Sequence, residues 1–384
     1  MRVTQLMWNK NQGWSPGRPD EFGVDWNLLL CFWSLDEDTL SPLLAQLREA
    51  FPGVLLAGCS TAGEILRDRV LDETLCVTLV GFDTARALGA QVALGQASAS
   101  EEVGRDLAGL LSKTGLRHVL VFSSGLEVNG SALARGLVAG LPQGVSISGG
   151  LAADGDRFCR TSVLRDDGLC DSCVTGVGLY GDSLCIGCGS RGGWKPFGPE
   201  RLITRSQDNI LLELDNEPAL ELYEKYLGRH AEGLPATGLL FPLSIRQDGS
   251  GKRLVRTILG MDRERGSLTF AGDVPEGAYA QLMQANSDRL VDGATDAARL
   301  ALAPLQELAG PGRDPGLALL VSCVGRKLIL KQLVDEEVES VADVVGADTP
   351  LTGFYSYGEL APDRSGGTCE LHNQTMTVTT ISER

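Results

Sequence analysis

Apolar runs of strand length that end in glycine-rich turns and hand over to helix-patterned stretches recur along this chain. They restrict it to folds in which strands and helices pack in layers. The runs are VLLA at 54–57, LCVTLV at 75–80, VLVF at 119–122 leading into a helical stretch at 131–141, and LALLV at 317–321. Between 174 and 189 two alternating runs flank Gly181 and Asp182, which reads as an antiparallel hairpin. The expected fold class is therefore α/β, with mixed sheets packed against helices.

At 384 residues the chain exceeds one ordinary core and suits two domains. The Gly- and Pro-rich stretch GSRGGWKPFGPE opens a boundary region at 189–215, which sets the expected domains at 1–205 and 206–384. A helix follows: Asp215 and Asn216 offer caps, Pro218 sits in the first turn, Leu220, Tyr223 and Leu227 share a face, and Gly228 is the stop. A longer helical stretch at 287–305 carries Leu290, Ala294, Ala297, Ala298 and Ala301 near a 3.6 period, small side chains suited to close packing on a sheet.

With 43% hydrophobic and 22% charged residues, the composition is that of a globular protein. A net charge of -16 opposes a phosphate backbone, and no basic run with interleaved aromatics offsets it, so neither nucleic acid nor an anionic membrane is an expected partner. No window approaches the roughly 18 apolar residues that a membrane-spanning helix needs. MRVTQLMWNK at the start holds no long apolar segment, and the expected location is the cytoplasm. Ten cysteines diluted in such a chain are expected to be mostly reduced thiols, and only His118, His230 and His372 supply imidazole.

GCSTAGEI at 58–65 and GFYSYGEL at 353–360 share the frame G-x4-G-E-[IL], and VFSSG at 121–125 is echoed by LVSCVG at 320–325. One reading is a rearranged internal duplication, the other a chance agreement of short peptides. The frame lacks the Lys-Ser/Thr of a phosphate loop and has Glu64 and Glu359 there, where a carboxylate repels phosphate. It offers instead a tight turn, hydroxyls and a carboxylate, which suit a small polar ligand with an amine or hydroxyl. The plainer reading is that the glycines serve backbone angles and Glu caps a helix. The tail TCELHNQTMTVTT alternates like a terminal strand, and its polar His372, Asn373 and Thr375 would face a pocket or a neighbouring carbonyl.

Two CxxC pairs, Cys170 with Cys173 and Cys185 with Cys188, have spacing compatible with a zinc site, and reduced core cysteines are the alternative. A cysteine hydrolase or transferase would use Cys59 or Cys323 with His372 as base and Glu359 as orienter, yet no GxSxG, HExxH or GxGxxG after a strand accompanies them.

These segments, with ISGGLAADGDRF at 147–158, the LDNEPALELYEKYLG helix at 214–228, SCVGR at 322–326 and LHNQTMT at 371–377, make the chain resemble the FIST family over nearly its whole length. The resemblance implies a FIST N domain followed by a FIST C domain and a non-enzymatic sensor of small ligands such as amino acids. The implied partner is a histidine kinase or a cyclic-di-GMP enzyme. Some family members are described as haem-binding nitric oxide sensors, for which His372 or His230 would be the axial ligand. The expected ligand site gathers Gly58, Cys59, Ser60, Thr61, Gly63, Glu64, Cys323, Arg326, Tyr355, Tyr357, Glu359, His372, Asn373 and Thr375.

Overall fold

Three parallel strand pairs, each with a glycine at the same place, organise the chain. A computed structural model describes all residues except 24, 166–167, 235, 247–252 and 311. The first unit comprises β1 (Arg2–Asn9), β2 (Leu28–Trp33), α1 (Glu37–Ala50), β3 (Leu55–Ser60), β4 (Glu64–Leu66) and β5 (Thr74–Gly81). The second runs through β6 (Arg86–Ala93), α2 (Ser100–Leu110), β7 (Leu116–Ser123), α3 (Gly130–Gly140), β8 (Ser146–Leu151), β9 (Val163–Arg165) and β10 (Cys173–Tyr180). The third begins with β11 (Leu184–Arg191) and is interrupted by an inserted body that carries α4 (Ala219–Leu227). It resumes with α5 (Ser287–Ala309), β12 (Leu317–Cys323), α6 (Val324–Leu330), α7 (Val334–Val345), β13 (Leu351–Ser356), β14 (Gly358–Ala361) and β15 (Met376–Glu383).

In each unit the two central strands pair in parallel: β2 with β3, β7 with β8, β12 with β13. A returning strand (β5, β10, β15) lies antiparallel on the first of each pair, and a leading strand (β1, β6, β11) lies antiparallel on that. The remaining edge is filled by a strand from another unit. β4 pairs with β13, β14 with β8, and β9 with β3, so the three sheets exchange strands in a closed ring. Each exchange covers an edge that would otherwise expose unpaired backbone groups.

Gly58, Gly149 and Gly353 face Cys31, Val121 and Leu320 across the parallel pairs. Their φ angles are 154°, 143° and 155°, and a Cβ at each would stand 1.7, 1.9 and 1.8 Å from the facing carbonyl oxygen. Only glycine can occupy such a position. The sequence echo at 58–65 and 353–360 thus marks two of three structural copies. The third, 149–155, reads GGLAADG, with Asp154 and Gly155 where the others have Gly and Glu.

At the middle of the ring Phe32 stacks on Phe354 at 4.8 Å and meets Phe122 edge-on at 5.7 Å, all fully buried. Burying each ring is worth roughly 1.5–3 kcal/mol. Helices form the outer layer. α5 lies against β11, where a Cβ on Gly187 or Gly189 would stand 1.7 or 2.1 Å from the carbonyls of Ala301 and Ala297. The alanine face of α5 (Ala294, Ala297, Ala298, Ala301, all 0% exposed) is what permits that approach.

The inserted body has its own sheet, running from Lys195–Pro196 to Tyr279–Gln284, and its own core around Tyr223, Phe270 and Leu268. A boundary at 205/206 is corrected by this arrangement, because it cuts the strand Arg201–Gln207. The hairpin expected around Gly181 is also corrected: β10 and β11 lie in different sheets, so the turn links two units. Asp215 and Asn216 do not cap α4, whose first flanking residue is Pro218; both take positive φ, and Asp215 accepts from the Leu202 amide. The tail is not one strand. Gln374, at φ 65°, breaks it into Glu370–His372 and β15.

Candidate functional site

The two G-x4-G-E turns touch each other. Ala62 N donates to Tyr355 O at 2.9 Å, Tyr355 N donates to Gly63 O at 2.9 Å, and Phe354 pairs with Glu64. Their carboxylates, however, point into separate closed shells. Glu64 is 0% exposed and accepts from Thr61 Oγ1, Thr74 Oγ1 (2.5 Å) and Ser34 Oγ (3.2 Å). Glu359 is 0% exposed and accepts from Ser356 Oγ (2.9 Å), Thr375 N (3.1 Å) and Thr375 Oγ1 (2.9 Å). Burial raises Glu64 to about 7 and Glu359 to about 8. Gly63, at φ 140°, takes a backbone conformation that favours glycine, and a Cβ there would displace the end of the Lys327 side chain, whose Nζ would stand 2.4 Å away.

Arg326 and Tyr355 belong to a second closed network. The Arg326 guanidinium, 0% exposed, pairs with Glu337 at 2.5 Å and donates to Gly192 O and Leu290 O. Glu337 also accepts from Tyr355 Oη at 2.7 Å and Ser322 Oγ at 3.1 Å. Tyr357 donates to Asp154 Oδ1 and stacks on Phe158 at 4.6 Å. Glu64, Glu359, Arg326 and Tyr355 are fully enclosed and satisfied by protein groups, those of each glutamate drawn from its own unit, so they offer no atom to a ligand. The expected two-turn pocket is corrected accordingly. Ser60 and Thr61 line a cavity of about 270 Å³ with Trp33, Asp154, Arg157 and Arg160.

Cys59 and Cys323 are 0% exposed, and burial pushes both thiols far above their usual range. A thiol so held stays protonated and is a poor nucleophile. His118 is equally buried between Ser146 and Ser148, and burial lowers it to about 3, so it is neutral.

The LHNQT stretch is a junction between the ring and the insert. His372 Nε2 meets Ala361 O at 2.9 Å, Asn373 Nδ2 donates to Tyr357 O at 3.3 Å, and Asn373 Oδ1 accepts from Thr257 N at 3.4 Å. Gln374 Nε2 donates to Leu239 O at 2.8 Å, and Gln374 O accepts from Trp194 Nε1 at 2.9 Å. Thr257 and Leu239 belong to the insert, whereas Tyr357 belongs to the ring.

A cavity of about 320 Å³ opens at this same seam, lined among others by Ser131 and Ala134 of α3, Ile245, Leu254 and Arg256 of the insert, and Leu371. That volume lies at the lower end of the about 300–1,000 Å³ typical of small-molecule sites, which are mostly apolar with a few placed polar groups. Arg256 is 3% exposed. Its Nε donates to Asp273 O (3.0 Å), Nη1 to Val255 O and Leu371 O (both 3.2 Å), and Nη2 to Ser131 Oγ (3.3 Å). Among the described residues no carboxylate lies within ion-pair distance of it. Burial lowers its pKa to about 10, still high enough to keep it charged at neutral pH. The signal that could have identified Arg256 is in RLVR at 253–256, where alternation puts it on the same side as Leu254, an arginine on an inward face.

The metal and haem expectations do not fit. Cys170 and Cys173 form a disulfide, Cys185 packs on Leu302 and Leu305, and Cys188 lies in a different sheet from the first pair, so the four sulfurs never converge. Among the described residues no group of three or more His, Cys, Asp and Glu stands ready for a metal. For haem, His372 is engaged by Ala361 O, and His230 lies exposed on a short 3-10 turn beside Phe241, 5.6 Å between rings. Neither imidazole lines the seam cavity.

Comparison with known proteins matches residues 27–217 to the FIST N domain and residues 219–362 to the FIST C domain. An uncharacterised protein of Mycobacterium tuberculosis is 29% identical over 227 residues, covering 57% of this chain and 57% of that protein. One of Mycobacterium bovis is 27% identical over 235 residues, covering 57% of this chain and 56% of its own length. The alignments thus span little more than half of these relatives. Among solved structures, a cyanuric acid hydrolase from A. caulinodans aligns over 100% of this chain and 99% of that chain at TM-score 0.37 and 8% identity. A second cyanuric acid hydrolase aligns at TM-score 0.32 and 11% identity, covering 100% and 99%. Among the described residues no helix is long and apolar enough to cross a membrane.

Proposed function

The chain belongs to the FIST family, whose domains are associated with small-ligand sensing in signalling, and on that premise we propose that it is a non-enzymatic sensor whose ligand binds at the seam between the three-unit ring and the insert. The observation that carries this reading is the seam cavity, walled by both bodies and holding the buried guanidinium of Arg256. A ligand there touches α3 on one side and the strand Arg253–Arg256 on the other, so its binding energy depends on how the two bodies pack. That dependence is what a sensor requires, since a ligand shifts an equilibrium only by its differential affinity for the two states. The packing would be read by a partner, a histidine kinase or a cyclic-di-GMP enzyme.

Thermal-shift screening of small metabolites, amino acids included, against the wild type and Leu254→Trp tests the reading. Compounds that stabilise the wild type and leave the cavity-filled variant unmoved support it. Compounds that stabilise both equally contradict it.

A further inference from the structure

The seam cavity presents more hydrogen-bond donors than the protein uses. A guanidinium carries five N–H donors. Four of those of Arg256 are engaged, by Asp273 O, Val255 O, Leu371 O and Ser131 Oγ, which leaves one hydrogen on Nη2 with no acceptor among the described residues. Ser131 Oγ accepts both from Arg256 Nη2 and from Asp273 N (3.3 Å), so its own hydroxyl hydrogen remains available to donate. Ser131 is the second residue of α3, an 11-residue helix whose N-terminus carries partial positive charge. Buried charges are ordinarily paired.

Two carboxylates, Asp273 and Glu370, line the cavity and favour the charged form of Arg256 from a distance, but among the described residues neither stands within ion-pair distance of it. Asp273 lends Arg256 only its backbone carbonyl; its carboxylate is held by Arg135 and, at 2.7 Å, by Asn129 Nδ2. The opposite walls, Ala134, Ile245, Leu254 and Leu371, are apolar.

We propose that the ligand of this site is a small carboxylate with an apolar body, its carboxylate bridging Arg256 Nη2 and Ser131 Oγ and its hydrocarbon part lying against Ile245, Leu254 and Leu371. This identification rests on the seam reading above and names its ligand class. A carboxylate there supplies the direct ion pair that Arg256 lacks among the described residues, and a charge-assisted bond of this kind is about twice as strong as a neutral one. The apolar walls reject a fully hydrated ion and favour a hydrocarbon body.

Isothermal titration calorimetry of the full chain with hexanoate, 1-hexanol and hexylamine separates the possibilities. Hexanoate is expected to bind, 1-hexanol to bind about tenfold or more weaker, and hexylamine to give no heat of binding. Ser131→Ala is expected to weaken hexanoate by about three- to tenfold, and Arg256→Met to abolish it. Equal binding of hexanoate and 1-hexanol, both lost in Leu254→Trp, overturns the carboxylate class while leaving the seam as a ligand site. Hexanoate binding that survives Ser131→Ala, Arg256→Met and Leu254→Trp overturns both. If none of the three probes binds, the carboxylate class falls, and the seam stands or falls on the metabolite screen.

Discussion

Glu64 and Glu359 occupy the same position in two different sheets. Each is wholly buried, each accepts from a hydroxyl three residues earlier (Thr61, Ser356), and each accepts from a threonine that opens or immediately precedes the returning strand (Thr74, Thr375). Chance agreement of two octapeptides does not reproduce a shared shell of donors, one of which in each case lies outside the octapeptide. The echo therefore reflects structural repetition, and the second unit is the copy in which Gly155 has replaced the carboxylate.

This pairing makes stability pH-dependent. Folded pKa values of about 7 for Glu64 and about 8 for Glu359 lie above the value of 4.5 taken for an unburied Glu. The folded protein therefore binds more protons than the unfolded chain between these limits. The stabilising contribution is fully present below about pH 4.5 and is lost as pH rises through 7 and 8, by up to a few kcal/mol per residue. Urea midpoints measured from pH 5 to 9 should fall with pH in the wild type and flatten in Glu64→Gln and Glu359→Gln. Equal slopes in all three proteins would refute the assignment.

Gly58→Ala, Gly149→Ala and Gly353→Ala should each cost about 3 kcal/mol or more, because the new Cβ would overlap a backbone carbonyl in the middle of a sheet. Gly312, at φ 84° with nothing within 4 Å of a Cβ, is the control and should lose about 1 kcal/mol. Chemical denaturation measures all four. A tolerated alanine at any one of the three would show that its unit lacks the shared geometry.

Removing one partner of the enclosed Arg326–Glu337 pair should destabilise by about 3–5 kcal/mol, since it leaves a buried charge alone. Tyr355→Phe, which deletes one bond to Glu337, should cost about 1–2 kcal/mol. A double-mutant cycle on Arg326 and Glu337 should yield a large coupling. Additive losses would mean that the two side chains do not meet.

Among the free thiols Cys159 is exposed, whereas Cys59 and Cys323 are buried. Alkylation of the native protein should modify Cys159 readily and leave Cys59 and Cys323 unmodified until denaturant is added. Rapid native labelling of either buried cysteine would restore the case for a nucleophile.

The layered α/β class, the close packing of the helix at 287–305 and the paired turns at 58–65 and 353–360 were legible because each leaves a local mark: strand-length apolar runs, a 3.6-residue period of small residues, and glycines that backbone geometry demands. The third copy was hidden because Asp154 and Gly155 break the G-x4-G-E frame while keeping Gly149, the residue its backbone needs. The strand exchange was not legible. Gly181 and Asp182 look the same to local pattern whether they close a hairpin or connect two sheets. Glu64 and Glu359 of the expected ligand site are enclosed and satisfied within their own units, and a buried, satisfied carboxylate and an exposed one are the same letter in sequence. Arg256 is illegible for the converse reason, being one arginine in a short strand whose burial depends on the distant Leu371 and Ser131.

Amide hydrogen exchange of the full chain with and without hexanoate tests the seam most directly, because it reports where a ligand settles. Slowed exchange is expected in the strand Arg253–Arg256, in Glu370–His372 and in the first turn of α3, all lost in Leu254→Trp. Protection confined to the cavity around Ser60, Thr61 and Asp154, with none at the seam, would contradict it.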